Sequence, residues 1–164
     1  NRSGTLEVLA TKALDDWQIV AGKFLACWAL VLIALLATLP YYISVAQLGN
    51  VDHGATIGGY LGLVLVSAAY TGIGLFTSSL TNNQIVAVLL ALFIGIFFQF
   101  LFGLFANTLS GWLGSICNYL NFNTHYDAIS RGVIDSKNII YLLSVAFLGV
   151  FAAQTVLTKR NYTG

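Results

Sequence analysis

The stretch QIVAGKFLACWALVLIALLATLPYYISVA, residues 18–46, decides what kind of protein this is. Lys23 is its one charged residue, and the stretch exceeds the ~20 apolar residues that a helix needs to cross a bilayer core. At about 1.5 Å per residue it reaches about 43 Å, against a hydrocarbon core of about 30 Å. We therefore expect a tilted membrane-spanning helix, or one that runs partly along the membrane surface. Pro40 predicts a kink near residues 36–39.

Three more apolar segments follow, at about 56–78, 84–107 and 138–158. The whole chain is 58% hydrophobic and 8% charged, whereas soluble domains carry about a quarter charged residues. The segments are too long and too numerous for a signal peptide. The sequence thus predicts an all-α integral membrane protein with four transmembrane helices. A net charge of +1 argues against nucleic acid as a partner.

The basic residues predict the orientation in the membrane. Four spans place both ends of the chain on one side. The ends carry Arg2, Lys12, Lys23, Lys159 and Arg160, whereas the segment between the last two spans carries Arg131 and Lys137. Cytoplasmic segments are enriched in Lys and Arg, so this five-to-two bias predicts that both ends are cytoplasmic.

The first 23 residues hold six of the thirteen charged residues, and their apolar positions recur at helical spacing. Two interpretations fit this pattern. The segment could be an interfacial lead-in that only anchors the first span. It could also be a coupling helix, a short cytoplasmic element that a soluble motor domain grips. The residues alone leave both open.

Longer motifs resemble a known family. The stretch RSGTLEVLATKALDDWQIVAGKFLA resembles the segment after the second membrane helix of ABC-2 type permeases. Three later stretches resemble the gliding-motility branch of that family, which is also similar to the nitrous-oxide-reductase accessory permeases. They are LPYYISVAQLGNVDHGATIGGYLGL, GIGLFTSSLTNNQIVA and HYDAISRGVIDSKNIIYLLS. The similarity covers essentially all 164 residues.

The resemblance implies a six-helix permease, of which this chain carries the last four helices, with two more expected upstream of Asn1. Residues 1–14 become the cytoplasmic coupling segment and residues 15–164 the transmembrane domain. The residues expected to couple to a separate ABC ATPase subunit are Gly4, Thr5, Leu6, Glu7, Leu9 and Lys12. The sequence departs from the family pattern at Ala13, where a proline is usual, and at Asp15, where a serine is usual.

Catalytic chemistry within this chain is not expected. No phosphate-binding G-x-x-x-x-G-K-[ST] loop occurs, so ATP and Mg²⁺ are expected on the partner ATPase and no cofactor in this chain. No Ser/His/Asp or Cys/His set lies within a span. Metal-ligand types on the predicted outer face lack clustered spacing, and we expect solvated positions for them and no metal. They are Asp52, His53, His125, Asp127 and Asp135.

Small residues in the second span predict close helix packing. Gly58 and Gly62, like Ala68 and Gly72, form small-xxx-small pairs that let two helices approach closely, either statically or as a sliding contact. In the Phe-rich third span, Gln99 stands out because an amide within a bilayer needs a partner. It could pair across a permease dimer or face the translocation path.

The segment 108–136 is predicted to fold outside the membrane. Its apolar stripe at helical spacing favours a surface-lying or re-entrant helix: Leu109, Trp112, Leu113, Ile116 and Leu120. The resemblance implies short re-entrant helices that close the outer mouth of the path, with Trp112, Ile116 and Arg131 as gate candidates.

Local signals complete the prediction. Thr81 or Asn82 is expected to cap the third span, and Asp135 or Ser136 the last. Asp127 and Arg131, four residues apart, could form a surface ion pair.

Physics and resemblance together predict the permease subunit of an ATP-driven exporter in a bacterial inner membrane. Two copies, or two related subunits, would pair with two cytoplasmic ATPases. The alternative is a non-transporting anchor or regulatory subunit of a gliding or secretion machine.

Overall fold

The computed structural model describes the backbone of residues 16–163 and the side chains of residues 16–159. Within that range the chain is helical without strands, and helix makes up 88% of it. The elements in chain order are α1 (Asp16–Leu36), α2 (Leu39–Leu48), α3 (His53–Leu80), α4 (Gln84–Ile96), a π-helical turn (Phe97–Leu101), α5 (Phe102–Thr108), α6 (Trp112–Leu120), α7 (Phe122–Ser130) and α8 (Ser136–Thr163).

Four stretches are long and apolar enough to cross a membrane, which confirms the predicted fold class. The first span combines α1 and α2 (Asp16–Leu48), and the second is α3. The third span combines α4, the π-helical turn and α5 (Gln84–Thr108), and the last lies within α8 (Ser136–Lys159).

The first span is broken where the proline predicts it. A turn at residues 37–38 separates α1 from α2, and Pro40 lies in the first turn of α2. Proline has no N–H to donate and its ring crowds the carbonyl one turn back, so the helix cannot run through this point unchanged. The indole N–H of Trp28 donates to the Val64 carbonyl at 3.2 Å, and the hydroxyls of Thr38 and Tyr60 pair at 2.6 Å. The first span is thereby tied to α3.

The second span, α3, is the central helix, and it packs against α1, α4, α7 and α8. At Gly72 an added Cβ would lie 2.6 Å from the Ala146 carbonyl oxygen, and at Gly149 it would lie 2.5 Å from the backbone of Gly72. The backbones of α3 and α8 therefore touch at this point, which glycine alone permits. The main core cluster draws on α3, α7 and α8: Leu65, Ala69, Ile73, Phe122, Ile129, Tyr141 and Leu142.

The helix caps correct one prediction and support another. Asn83 caps the third span, with its side chain accepting the Ile85 amide at 3.0 Å, so the expectation of Thr81 or Asn82 is wrong. Thr81 instead accepts the amide of Asn83 at 3.1 Å, which holds the capping residue in place. At the start of α8, Asp135 accepts the Lys137 amide at 3.2 Å, as predicted.

Candidate functional site

The predicted coupling residues Gly4, Thr5, Leu6, Glu7, Leu9 and Lys12 lie outside the described residues. The other candidates lie on α3, on the third span and on α6 with α7, which we call the outer helix pair. The geometry of that pair and its attachment to the spans define the candidate site.

The outer helix pair consists of two short helices between the third and last spans. Asn121 joins them and caps α7, accepting the amide of Asn123 at 3.1 Å. Gly132 ends α7 with φ +81°, a left-handed conformation that favours glycine, while the Val133 amide bonds back to the Ala128 carbonyl at 3.1 Å. These signals fix both ends of α7.

The small-xxx-small pairs of α3 contact two different neighbours. They are Gly58 with Gly62 and Ala68 with Gly72. An added Cβ at Gly58 would lie 2.3 Å from the Ile129 carbonyl oxygen, and one at Gly62 would lie 2.9 Å from the Tyr126 ring. Gly58 and Gly62 therefore seat α7 of the outer helix pair. Gly72 instead meets the last span, and Ala68, one turn earlier, is buried.

His125 lies at the centre of the attachment and is only 2% exposed, so the expectation that it is solvated is wrong. Its Nε2 lies 2.6 Å from the Tyr119 carbonyl oxygen, and its Nδ1 lies 2.8 Å from Oδ1 of Asn138 on α8. The ring stacks on Tyr141 with centroids 4.2 Å apart. The sequence holds a signal for this burial, because His125 shares one helical face with Phe122 and Ile129.

The His125 ring and the Asn138 amide form one hydrogen bond between α7 and the last span. A ring that donates from Nε2 to the Tyr119 carbonyl accepts at Nδ1, which matches the amide N–H₂ of Asn138. With Oδ1 of Asn138 facing the ring, the amide nitrogen is buried without a partner, so exchanging the two amide positions pairs that nitrogen.

A second contact joins the outer helix pair to the third span. The side-chain N–H₂ of Asn123 donates to the backbone carbonyl of Gln99 at 3.1 Å, inside the π-helical turn. The Tyr70 hydroxyl donates to Oε1 of Gln99. Gly103, in α5, lets the Asn121 side chain approach, since an added Cβ would lie 2.9 Å from its Nδ2. Gln99 thus has partners in its own chain, on α3 and on α7.

The three gate candidates are exposed on the surface of the protein. Trp112 is 72% exposed, and Ile116 and Arg131 are also exposed. The predicted ion pair is wrong, because among the described residues no salt bridge joins Asp127 to Arg131. The Arg131 amide instead bonds to the Asp127 carbonyl at 3.3 Å and closes the last turn of α7.

The acidic and histidine side chains are dispersed. In the part of the chain that the structure describes, no three of the His, Cys, Asp and Glu side chains lie close enough to hold a metal ion. His53, at the start of α3, pairs with Tyr42 of α2, on elements other than those that hold His125. Among the described residues, the hydrogen bonds of this site join the outer helix pair to the third and last spans.

Comparison with known proteins gives one match. The model of a family described as "ABC-2 family transporter protein" matches residues 1–158. No curated protein matches the chain. No solved structure matches it either.

Proposed function

Because the chain belongs to the ABC-2 transporter family, we propose that it is the membrane-spanning permease subunit of an ATP-driven exporter, which forms the translocation path and couples to a separate ATPase. The observation that carries the proposal is the extent of the match. It extends over residues 1–158, a range that includes the charged opening segment, the first three spans, the outer helix pair and all but the final residue of the last span.

Energy for transport comes, in this proposal, from a partner ABC ATPase that binds ATP and Mg²⁺. The ATPase grips the segment around Gly4–Leu9 and Lys12, and its closure on ATP moves the spans that follow. The support for this assignment is the resemblance of residues 2–26 to the segment after the second membrane helix of ABC-2 type permeases, together with the family match over residues 1–158.

The outer helix pair is proposed as the outer gate. Its two attachments, from Asn123 to Gln99 and from His125 to Asn138, connect it to the third and last spans. Any motion that separates these two spans must therefore strain one attachment or carry the helix pair along. Trp112, Ile116 and Arg131 lie on its exposed side, where they can contact a second subunit or a leaving substrate.

The finer assignments rest on the sequence. The five-to-two distribution of Lys and Arg supports cytoplasmic ends. The resemblance to ABC-2 type permeases is the support for a bacterial inner-membrane location. The stretches SLTNNQIVA and SRGVID support the gliding-motility branch. We propose that two copies, or two related permease subunits, assemble with two ATPases.

A charge reversal in the coupling segment tests the proposal. Glu7→Lys with Leu6→Asp should abolish co-purification of the ATPase and ATP-driven export. One charge-assisted hydrogen bond is worth about 1.5–3 kcal/mol, and one buried leucine about as much. The matched control is Asp127→Lys with Ile134→Asp, the same exchange of one acidic and one apolar residue at exposed positions outside the opening segment.

Three outcomes are informative. Loss of the ATPase in the first variant but not in the control supports the coupling role. Retention of the ATPase and of export in both would contradict it. A wild-type complex that binds and hydrolyses ATP without exporting any cargo would favour the non-transporting anchor or regulatory subunit.

A further inference from the structure

A groove of about 440 Å³ lies between α3 and the third span. Its walls are apolar, with Val88, Leu92, Ile96 and Phe100 on the third span. Leu92, Ile96 and Phe100 are exposed, so the groove opens away from the bundle. The polar groups in its lining are those of Tyr70 and Gln99.

The polar pair in the groove is held in a fixed position. The Tyr70 ring lies directly against Gly95, where an added Cβ would lie 2.8 Å from the ring, and meets Phe122 edge-on at 5.5 Å. The Tyr70 hydroxyl donates to Oε1 of Gln99, while the Gln99 backbone carbonyl accepts from Asn123. Among the described residues, none accepts a hydrogen bond from the side-chain N–H₂ of Gln99. The groove therefore presents a positioned donor in an apolar wall.

The depth of this donor restricts what can satisfy it. Gln99 lies nine residues before Thr108, the end of the third span, which is about 14 Å along a helix. Half of the hydrocarbon core is about 15 Å thick, so Gln99 lies well below the ester groups of the lipids. An unpaired amide in hydrocarbon is costly, because no water reaches it. The acceptor must come from a molecule that enters the core.

A second copy of the chain does not supply that acceptor readily. The backbone carbonyls of a membrane-spanning helix are already bonded within that helix. A helix face of a second copy would therefore cover the apolar walls, and it would pair the Gln99 amide only if it also placed a side-chain acceptor against it. A free molecule with its own carbonyl fits both the walls and the donor.

We propose that this groove binds an elongated apolar molecule of the membrane that carries a carbonyl-type hydrogen-bond acceptor within its hydrocarbon body. Resting on the proposed function, such molecules form one class of cargo for the permease. The apolar walls hold the chain, and the Gln99 amide selects for the acceptor.

Photolabelling tests the site without an ATPase. The full chain is reconstituted in phosphatidylcholine nanodiscs with one of two probes. One is a long-chain ketone that carries a terminal diazirine, and the other is the same molecule with CH₂ in place of the carbonyl. Since one hydrogen bond is gained, the ketone should label the groove-lining peptides of the third span about 5–10-fold more than the alkane probe.

Two substitutions in the groove and one control identify the determinant. Gln99→Leu should reduce the ketone-to-alkane ratio to about one, whereas Gln154→Leu, which removes an amide from the last span, should leave it unchanged. Leu92→Trp fills the groove without touching the amide and should lower labelling by both probes. It tests the site even if Gln99→Leu fails to fold.

Several results would overturn the proposal: an unchanged ratio in Gln99→Leu, labelling spread evenly over the four spans, or Ile96→Cys chains that lack Cys27 and Cys117, form disulfide dimers in full yield and lose labelling by both probes. Transport is a separate readout. Selective labelling without ATP-driven export of the ketone leaves the groove established and counts against the proposed function. ATP-driven export of the ketone without selective labelling supports the proposed function and counts against the groove as a binding site.

Discussion

The first and second spans are both long and apolar, yet they occupy opposite positions in the protein. In the most hydrophobic stretch of α3, 39% of the residues are buried within the protein, whereas the figure for the first span is 6%. The second span presents glycine and alanine at its contacts, and the first presents leucine, isoleucine and tyrosine to its surroundings. In a bilayer, lipid solvates large apolar side chains as well as a protein core does, whereas small residues let helices approach closely. Small residues therefore mark the central helix.

Replacing a glycine at the contact between α3 and α8 with leucine should cause the largest loss of stability. Gly72→Leu introduces a side chain whose Cβ lies 2.6 Å from the Ala146 carbonyl, so α3 and α8 must separate. We expect a loss of at least about 3 kcal/mol in the free energy of unfolding, measured by tryptophan fluorescence in detergent. Gly22→Leu on α1 is the matched control, since no atom lies within 4 Å of its added Cβ. Equal stability of the two variants would mean that α3 is not the central helix.

Removal of the buried histidine should have the next largest effect. His125→Leu leaves the Tyr119 carbonyl and the Asn138 side chain without their partner, at a cost of about 2–4 kcal/mol. Limited proteolysis at the outer helix pair should accelerate with the loss of stability. His53→Leu, which removes an exposed histidine from the first two spans, should cost less than about 0.5 kcal/mol. A stable, protease-resistant His125→Leu protein would contradict the attachment.

Removing one hydrogen bond from the core cluster and one from the first span compares how much each contributes to the free energy of unfolding. Tyr141→Phe removes a donor to the Leu120 carbonyl at 2.7 Å, inside the core cluster, and Trp28→Phe removes a donor to the Val64 carbonyl at 3.2 Å, at the edge of the bundle. We expect about 1–1.5 kcal/mol for the first and about 0.5 kcal/mol for the second, by the same unfolding measurement. A larger loss for Trp28→Phe than for Tyr141→Phe would show that the first span is bound to α3 more firmly than its exposure indicates.

The smallest effect concerns pH at the start of the last span. The Lys137 side chain and amide, which donate hydrogen bonds to Asp135, hold the pKa of its carboxyl below the usual 3.8. A lowered pKa in the folded protein means that the contribution to stability is present above 3.8 and is lost as the pH falls through the folded value. Hydrogen exchange in the first turn of α8 should accelerate in that acid range. Asp135→Asn should exchange faster at neutral pH and lose this pH response, and a retained response would assign it to another group.

The spans and the break in the first one could be predicted because each depends on local properties. Length and apolar content define a span, and a missing N–H with a ring clash defines the break at Pro40. The resemblance of the opening and later motifs likewise pointed to the family that the comparison then supported.

The outer helix pair was harder to predict because its structure depends on contacts distant in sequence. The helical face that His125 shares with Phe122 and Ile129 indicates its burial, but Asn138 and Tyr141, which contact it, belong to the last span and are distant in sequence. The π-helical turn around Gln99 has no local signature. The Asn83 cap was missed by one residue, since Thr81, Asn82 and Asn83 are all good capping types.

The break in the first span bears on how the protein accommodates its membrane. Its 33 residues would measure about 50 Å as one straight helix, far more than a bilayer core. Because α1 and α2 meet at a turn, a change in the angle between them would strain the Thr38–Tyr60 hydrogen bond but would leave the contacts of α3 with α7 and α8 in place. We therefore expect a thicker or thinner bilayer to be matched by a change of angle at this turn. The packing of the central helices should then depend little on the lipid composition around them.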